Sequence, residues 1–191
     1  MPPKVRVTKE AIVAAAADVV RSSGAELLNA RAVAQRMGVS TQPIFSNYAS
    51  MDELRADVID YAEKLYMQYI QREISSGKYP PYKSSGMAYI CFAREERELF
   101  KLLYMRDRSN TDMMDESESF IQAVELVQEN LGIDCDTAKF FHLELWVFVH
   151  GIATLYATSY LDLDMQTVSI MVSDVYNGLR AKYLTEGKAN E

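Results

Sequence analysis

Residues 30–54 read ARAVAQRMGVSTQPIFSNYASMDEL, and the fold turns on how this stretch is divided. Ala30, Val33, Ala34 and Met37 fall at helical spacing, Gly38 interrupts them, and a second, short helix runs from Ser40 to Asn47. The pattern is helix, tight turn, helix. Asn29 is placed to cap the first of these helices and Ser40 the second, while Ser50 and Glu53 form a capping box that opens a third helix toward Leu54. Pro43 fits the first turn of its helix, where the N–H it lacks has no intrahelical partner.

Upstream, Thr8 is the expected cap of a helix running to about Ser23, with Ala11, Ile12, Ala15, Ala16, Val19 and Val20 on its apolar side. Gly24 is expected to end it in a left-handed conformation. Leu27 and Leu28 then pack in front of Asn29 as a staple, and the three helices up to Tyr48 close a small core.

Downstream, Leu54, Val58, Tyr61, Leu65, Tyr69 and Ile70 make a continuous stripe on a helix from Ser50 to about Ser75. The glycine and paired prolines of residues 75–81, SSGKYPP, end it. Residues 82–106 split near Arg94 to Glu96 into two helices. The polar run 107–116 reads as a loop. Phe120 to Leu131 forms a further helix with Ile121, Val124, Val127 and Leu131 inward and Gly132 closing it.

Asp136 is the expected cap of a helix to about Ser159 in which Phe140, Phe141, Leu143, Leu145, Trp146, Val147, Phe148, Val149, Ile152 and Leu155 leave almost no polar face. A helix apolar all round must be buried all round. Only one more helix follows, about Met165 to Thr185, with Val168, Met171, Val172, Val175 and Leu179 as its stripe. One chain cannot easily cover both, so the expectation is a homodimer joined through a four-helix bundle of these last two helices.

The 191 residues are 49% apolar, enough for one substantial core or a small domain joined to a larger one. The start, MPPKVRV, is too short and charged for a signal peptide, and no apolar run is expected to approach the ~20 residues of a membrane span. A cytoplasmic protein without a membrane partner is expected. Cys91 and Cys135 read as two buried, reduced thiols. The net charge of −7 is unevenly divided. Up to Ser50, Lys4, Arg6, Lys9, Arg21, Arg31 and Arg36 outnumber Glu10, Asp18 and Glu26 for a balance of +3, leaving −10 on the remainder. That asymmetry fits a DNA-reading head on an acidic body.

Residues 38–54, GVSTQPIFSNYASMDEL, resemble the signature of TetR-type transcriptional regulators, in which Gly-Val-Ser opens the recognition helix, two aromatics close it and a Ser-x-x-Glu-Leu-like start launches a long connecting helix. With Thr8 to Leu28 the likeness covers about the first 60 residues. Phe45 stands where that family most often has a tyrosine touching a DNA phosphate, and Met51 where it commonly has a lysine. Both departures remove phosphate contacts and imply weaker non-specific binding. Residues 82–163 also resemble a C-terminal ligand-binding domain found in a subset of the family, through a Trp-x-x-x-His-Gly-like motif matched by Trp146, His150 and Gly151. The implied fold is all-α with about nine helices, a helix-turn-helix head over 1–49 and a ligand-binding and dimerisation domain over 50–191.

A helix-turn-helix lays its second helix in the major groove. Ser40, Thr41, Gln42, Phe45, Ser46 and Asn47 are the candidates facing bases or phosphates there, with Gln42 and Asn47 suited to adenine. Asn29, Arg31, Lys4 and Arg6 are the phosphate candidates. For a small molecule held between body helices the candidates are Tyr61, Tyr89, Phe92, Tyr104, Trp146 and His150. His142 and His150 lie eight apart without convergent carboxylates, and no CxxC, HExxH, GxSxG or phosphate-binding glycine loop occurs. No metal, cofactor or catalytic site is expected. The expected function is a regulator, most simply a repressor, that leaves a double-stranded DNA operator when a small-molecule effector binds. The alternative is a helical small-molecule binding or interaction protein that no longer uses DNA.

Overall fold

A computed structural model describes residues 7–105 and 118–186. The described residues are helical throughout: α1 (Lys9–Ser23), a 3₁₀ turn (Ala25–Leu27), α2 (Ala30–Met37), α3 (Gln42–Asn47), α4 (Met51–Ser75), α5 (Pro81–Glu95), α6 (Arg97–Tyr104), α7 (Glu118–Leu131), α8 (Cys135–Ala157) and α9 (Met165–Glu186). They form two compact units. The first holds the described residues up to Gln68 together with Glu95 through α6, and the second holds Tyr69–Arg94 with α7, α8 and α9. These units are cut differently from a division at Ser50. The first two-thirds of α4 belong with the head, and α6 joins them because it packs on α1.

In the first unit, Thr8 caps α1 by accepting a hydrogen bond from the Ala11 N–H at 3.2 Å. Ile12, Ala16, Ala17 and Val20 of α1 are fully buried, but Ala11 faces solvent, so the apolar side is turned slightly toward Ala17. Gly24 has φ +83° and ψ 161°, which is positive but not left-handed helical; this region of backbone space is essentially reserved for glycine. A Cβ there would meet Glu98 Oε2 at 3.3 Å. The expected two-leucine staple is half present. Leu28 is buried, whereas Leu27 ends the 3₁₀ turn and is exposed.

Asn29 caps α2, its Oδ1 accepting from the N–H groups of Arg31 and Ala32. Gly38 closes α2 in the left-handed region, at φ +67° and ψ 32°. The expected cap of the next helix is corrected: Ser40 lies outside it, and α3 begins after Thr41, which is in helical conformation and makes no side-chain cap hydrogen bond. Pro43 is in the first turn. The capping box before α4 is displaced by one residue. Ser50 Oγ accepts from the Glu53 N–H, but Glu53 Oε2 accepts from Ala49, not from Ser50. Tyr48 locks the end of α3 onto α4, donating from its hydroxyl to Asp57 Oδ2 at 2.8 Å.

In the second unit, α8 is the central element, packed on α7 and on α9. Its cap is Asp134, not Asp136. Asp134 Oδ1 accepts from the Asp136 and Thr137 N–H groups while Oδ2 accepts from the Thr137 hydroxyl at 2.6 Å. The same Asp-x-x-Thr arrangement opens α9, at Asp164 and Thr167. On α7 the inward face is Phe120, Ala123, Val124 and Val127; Ile121 is exposed, because a helix presenting 120, 123, 124 and 127 turns 121 outward.

Burial of α8 is one-sided. Ala138, Phe141, Leu145, Val149, Ile152, Ala153 and Tyr156 are buried, while Phe140 (57% exposed), Leu143 (41%) and Val147 (57%) are not. The expectation that no apolar run reaches the length of a membrane span is also corrected, since α8 is long and apolar enough by composition. The core helix of a packed domain meets the same test. Of the two thiols expected to be buried, Cys91 is half-buried and Cys135, at the first position of α8, is exposed. The polar run 107–116 lies outside the described residues.

Candidate functional site

Within the first unit, α2 and α3 frame an open cleft of about 560 Å³ lined by Asn29, Ala30, Arg31, Thr41 and Phe45. Four of these are among the residues singled out from sequence, and the fold brings them to one place although they lie up to sixteen positions apart. Ala30 was not anticipated; its small side chain gives no chemical signal. Lys4 and Arg6 lie outside the described residues.

The side chains around this cleft fall into two groups. Some are already occupied by the chain itself. Asn29 uses its oxygen as the α2 cap and donates its amide to Leu27 O at 3.0 Å. Ser46 donates to Gln42 O at 2.9 Å, and Asn47 donates to Pro43 O at 2.8 Å. An Asn reads adenine by presenting donor and acceptor together. One N–H of Asn47 is engaged on α3 in this way, while its second N–H and its oxygen have no such role there. The other group is free for a partner: Arg31, Ser40, Gln42 and Phe45 are exposed and Thr41 half-buried, and Arg31 makes no ion pair among the described residues.

Electrostatics single out Arg31 further. Lys9 pairs with Glu53 at 3.2 Å, Arg36 with Asp18 at 2.9 Å, and Arg55 with Asp52 at 3.1 Å. Arg21 pairs with Asp18 and forms a two-pronged contact with Glu96 at 2.8 and 3.1 Å. Hydrogen bonding to Glu96 raises the Arg21 pKa above its ordinary value, and the Arg36 guanidinium holds the Asp18 carboxyl below its own. Among the described residues of the head, Lys9, Arg21, Arg36 and Arg55 are thus each paired with a carboxylate, whereas Arg31, on the rim of the cleft, is exposed without an ion pair.

The small-molecule candidates are divided between the units. Tyr61 and Tyr104 lie in the first. Tyr61 sits with its ring 5.7 Å from the Arg21 guanidinium, and Tyr104 packs against Tyr66 and Phe100. Tyr89, Phe92, Trp146 and His150 lie in the second. Three of them form one cluster: Tyr89 Oη and His150 Nδ1 are hydrogen-bonded at 2.9 Å, and the Trp146 ring stacks on His150 at 4.8 Å with 17° between planes. Burial lowers the His150 pKa, so the ring is neutral near pH 7. Phe92 is fully buried and meets Tyr69 edge-on at 5.4 Å, which is core packing.

Two features of the second unit were not anticipated. Tyr82 and His142 repeat the tyrosine–histidine pairing at 2.9 Å, with burial pushing the His142 pKa down to about 4. Lys83 Nζ donates to the hydroxyls of Ser169 and Ser173 and to Ser169 O, at 2.7 to 2.9 Å, tying α5 to α9. Serines four apart on α9 are the one signal for that contact available in the sequence.

Residues 83–173 match the family model described as "Tetracyclin repressor-like, C-terminal domain". No curated relative matches the chain. Among solved structures, the fold is similar to that of a TetR-like transcriptional regulator from Rhodococcus sp. RHA1, at 18% identity and a TM-score of 0.64 over 97% of this chain and 98% of that one. The family match therefore covers residues 83–173, and over its whole length the chain has the fold of that TetR-like regulator.

Proposed function

We propose that this protein is a DNA-binding transcriptional regulator, a repressor released from its operator by a small molecule. The observation that carries this reading is the cleft between α2 and α3, where Arg31 is exposed without an ion pair among the described residues and Ser40, Thr41, Gln42 and Phe45 stand unoccupied beside it. Arg31 offers a phosphate contact that fixes the register of the head, and Gln42 offers a paired donor and acceptor to an adenine edge.

The working form is a homodimer through α8 and α9. Phe140, Leu143 and Val147 share one exposed side of α8, and Ile170 of α9 is 55% exposed, which supports burial against a second copy. Two heads held in this way meet successive major grooves about 34 Å apart. An effector acts by preferring a head spacing that does not match the DNA, and weakens binding by its differential affinity for the two states. The Tyr89, Trp146 and His150 cluster is the contact set proposed for it.

The rival reading, a helical binding protein that has abandoned DNA, draws support from the internal pairing of Lys9, Arg21, Arg36 and Arg55. Fluorescence anisotropy with the DNA flanking the encoding gene, at two salt concentrations, separates the two. Sequence-selective binding that weakens as salt rises supports the regulator. Binding that is sequence-blind or insensitive to salt removes it.

A further inference from the structure

Phe45 presents an apolar ring that is 60% exposed on the helix expected to enter the groove. It has no hydroxyl or amide to offer a phosphate or a base edge, so what it can offer a partner is an apolar ring face. Its neighbours define the surroundings of that face. On one side it shares the cleft with Arg31, the phosphate-directed cation. On the other, Gln42 is three residues earlier on the same helix and so projects from the same face. Buried Ile44 and Tyr48 fix the opposite face of α3 in the core, which leaves the ring no internal site.

A group standing between a backbone phosphate and a purine edge meets the rim of the major groove, where the C5-methyl of thymine is the apolar feature displayed. We propose that Phe45 is a specificity-determining residue that packs on a thymine methyl, so that the head reads an A·T-containing step with Gln42 on adenine and Phe45 on the methyl. This rests on the DNA-binding reading above and assigns the ring a role in sequence choice, in place of a phosphate contact.

Burying one methyl against an aromatic ring corresponds to about a fourfold gain in affinity, and to about fifteenfold when both half-sites of a dimer make the contact. The test begins with selection of duplexes from a randomised pool by the full-length protein. The winning duplex is then resynthesised with deoxyuridine replacing thymidine one position at a time, which deletes the methyl and nothing else. The expected result is one position per half-site where the wild type loses about fourfold, while Phe45→Ala binds the thymidine and deoxyuridine duplexes equally. Phe45→Leu, which keeps an apolar side chain, retains part of the difference. Because the residue is exposed, circular dichroism melts of the variants are expected to match the wild type.

A wild type indifferent to every deoxyuridine substitution would overturn the proposal while leaving DNA binding intact. So would a Phe45→Ala variant as sensitive to the methyl as the wild type. Failure to enrich any duplex would instead remove the DNA-binding reading itself, and this inference with it.

Discussion

An exposed arginine near the N-terminal end of a helix meets a DNA phosphate without first giving up an ion pair if nothing within the protein neutralises it, and among the described residues that condition distinguishes Arg31 from Lys9, Arg21, Arg36 and Arg55. Arg31→Ala is expected to lower affinity for every DNA sequence about equally and to reduce the slope of log K against log salt by about one per head, or about two for the dimer. Equal loss across selected and scrambled duplexes, measured by anisotropy over a salt series, checks it. His142 makes a second residue-scale prediction. Its folded pKa is about 4 because burial disfavours the charged ring, against an ordinary value of 6.5. The unfolded chain therefore takes up a proton that the folded chain refuses. The corresponding stability is fully present above about pH 6.5 and falls, by about 2–3 kcal/mol at most, as pH drops toward 4. Urea melts of His142→Gln should show a shallower decline between about pH 7 and about pH 4.5 than the wild type.

Elements show where a linear reading succeeds and where it stops. The helix, the Gly38 turn and the long helix beginning at Met51 follow from local chemistry, and their ends were legible within a residue or two. The caps of α3 and α8 were not. Ser40 and Thr41 are adjacent candidates, and Asp134 and Asp136 both precede an apolar run; the choice of Asp134 depends on Thr137 three residues on, whose hydroxyl and N–H both engage it. At the site, residue types pointed to Gln42 and Asn47 alike, but only three-dimensional geometry shows Asn47 bound back to Pro43 O. The internal pairing of the cations was equally hidden, because Arg21 and Glu96 are 75 residues apart. That pair gives a prediction for elements. It fastens the start of α6 to α1, with Arg21 and Glu96 side chains 30% and 17% exposed. Glu96→Ala leaves a part-buried guanidinium without its main partner and is expected to cost about 1–2 kcal/mol. Faster amide exchange in α1 and α6, with α7 unchanged, is the pattern expected.

At the scale of the molecule, the proposed homodimer rests on the apolar side of α8. Phe140, Leu143 and Val147 recur at intervals of three and four, so they make one stripe. The expectation that this helix is buried all round is met by a single chain on one face only. Val147→Glu places a charge in the middle of the open stripe, and burying it unpaired against a second copy is expected to weaken dimerisation by about 3 kcal/mol or more. Light scattering at micromolar concentration should report a monomer for the variant and a dimer for the wild type. Operator affinity should fall with it, since each head alone makes half the contacts.

The central claim is that two such heads, carried by one dimer, read DNA together. Hydroxyl-radical footprinting of the full-length protein on a selected duplex tests it directly. The account predicts two protected segments one helical turn apart, about 34 Å centre to centre, both lost with Val147→Glu and both weakened with Arg31→Ala. A single protected segment, or none on any duplex the protein binds, would contradict it.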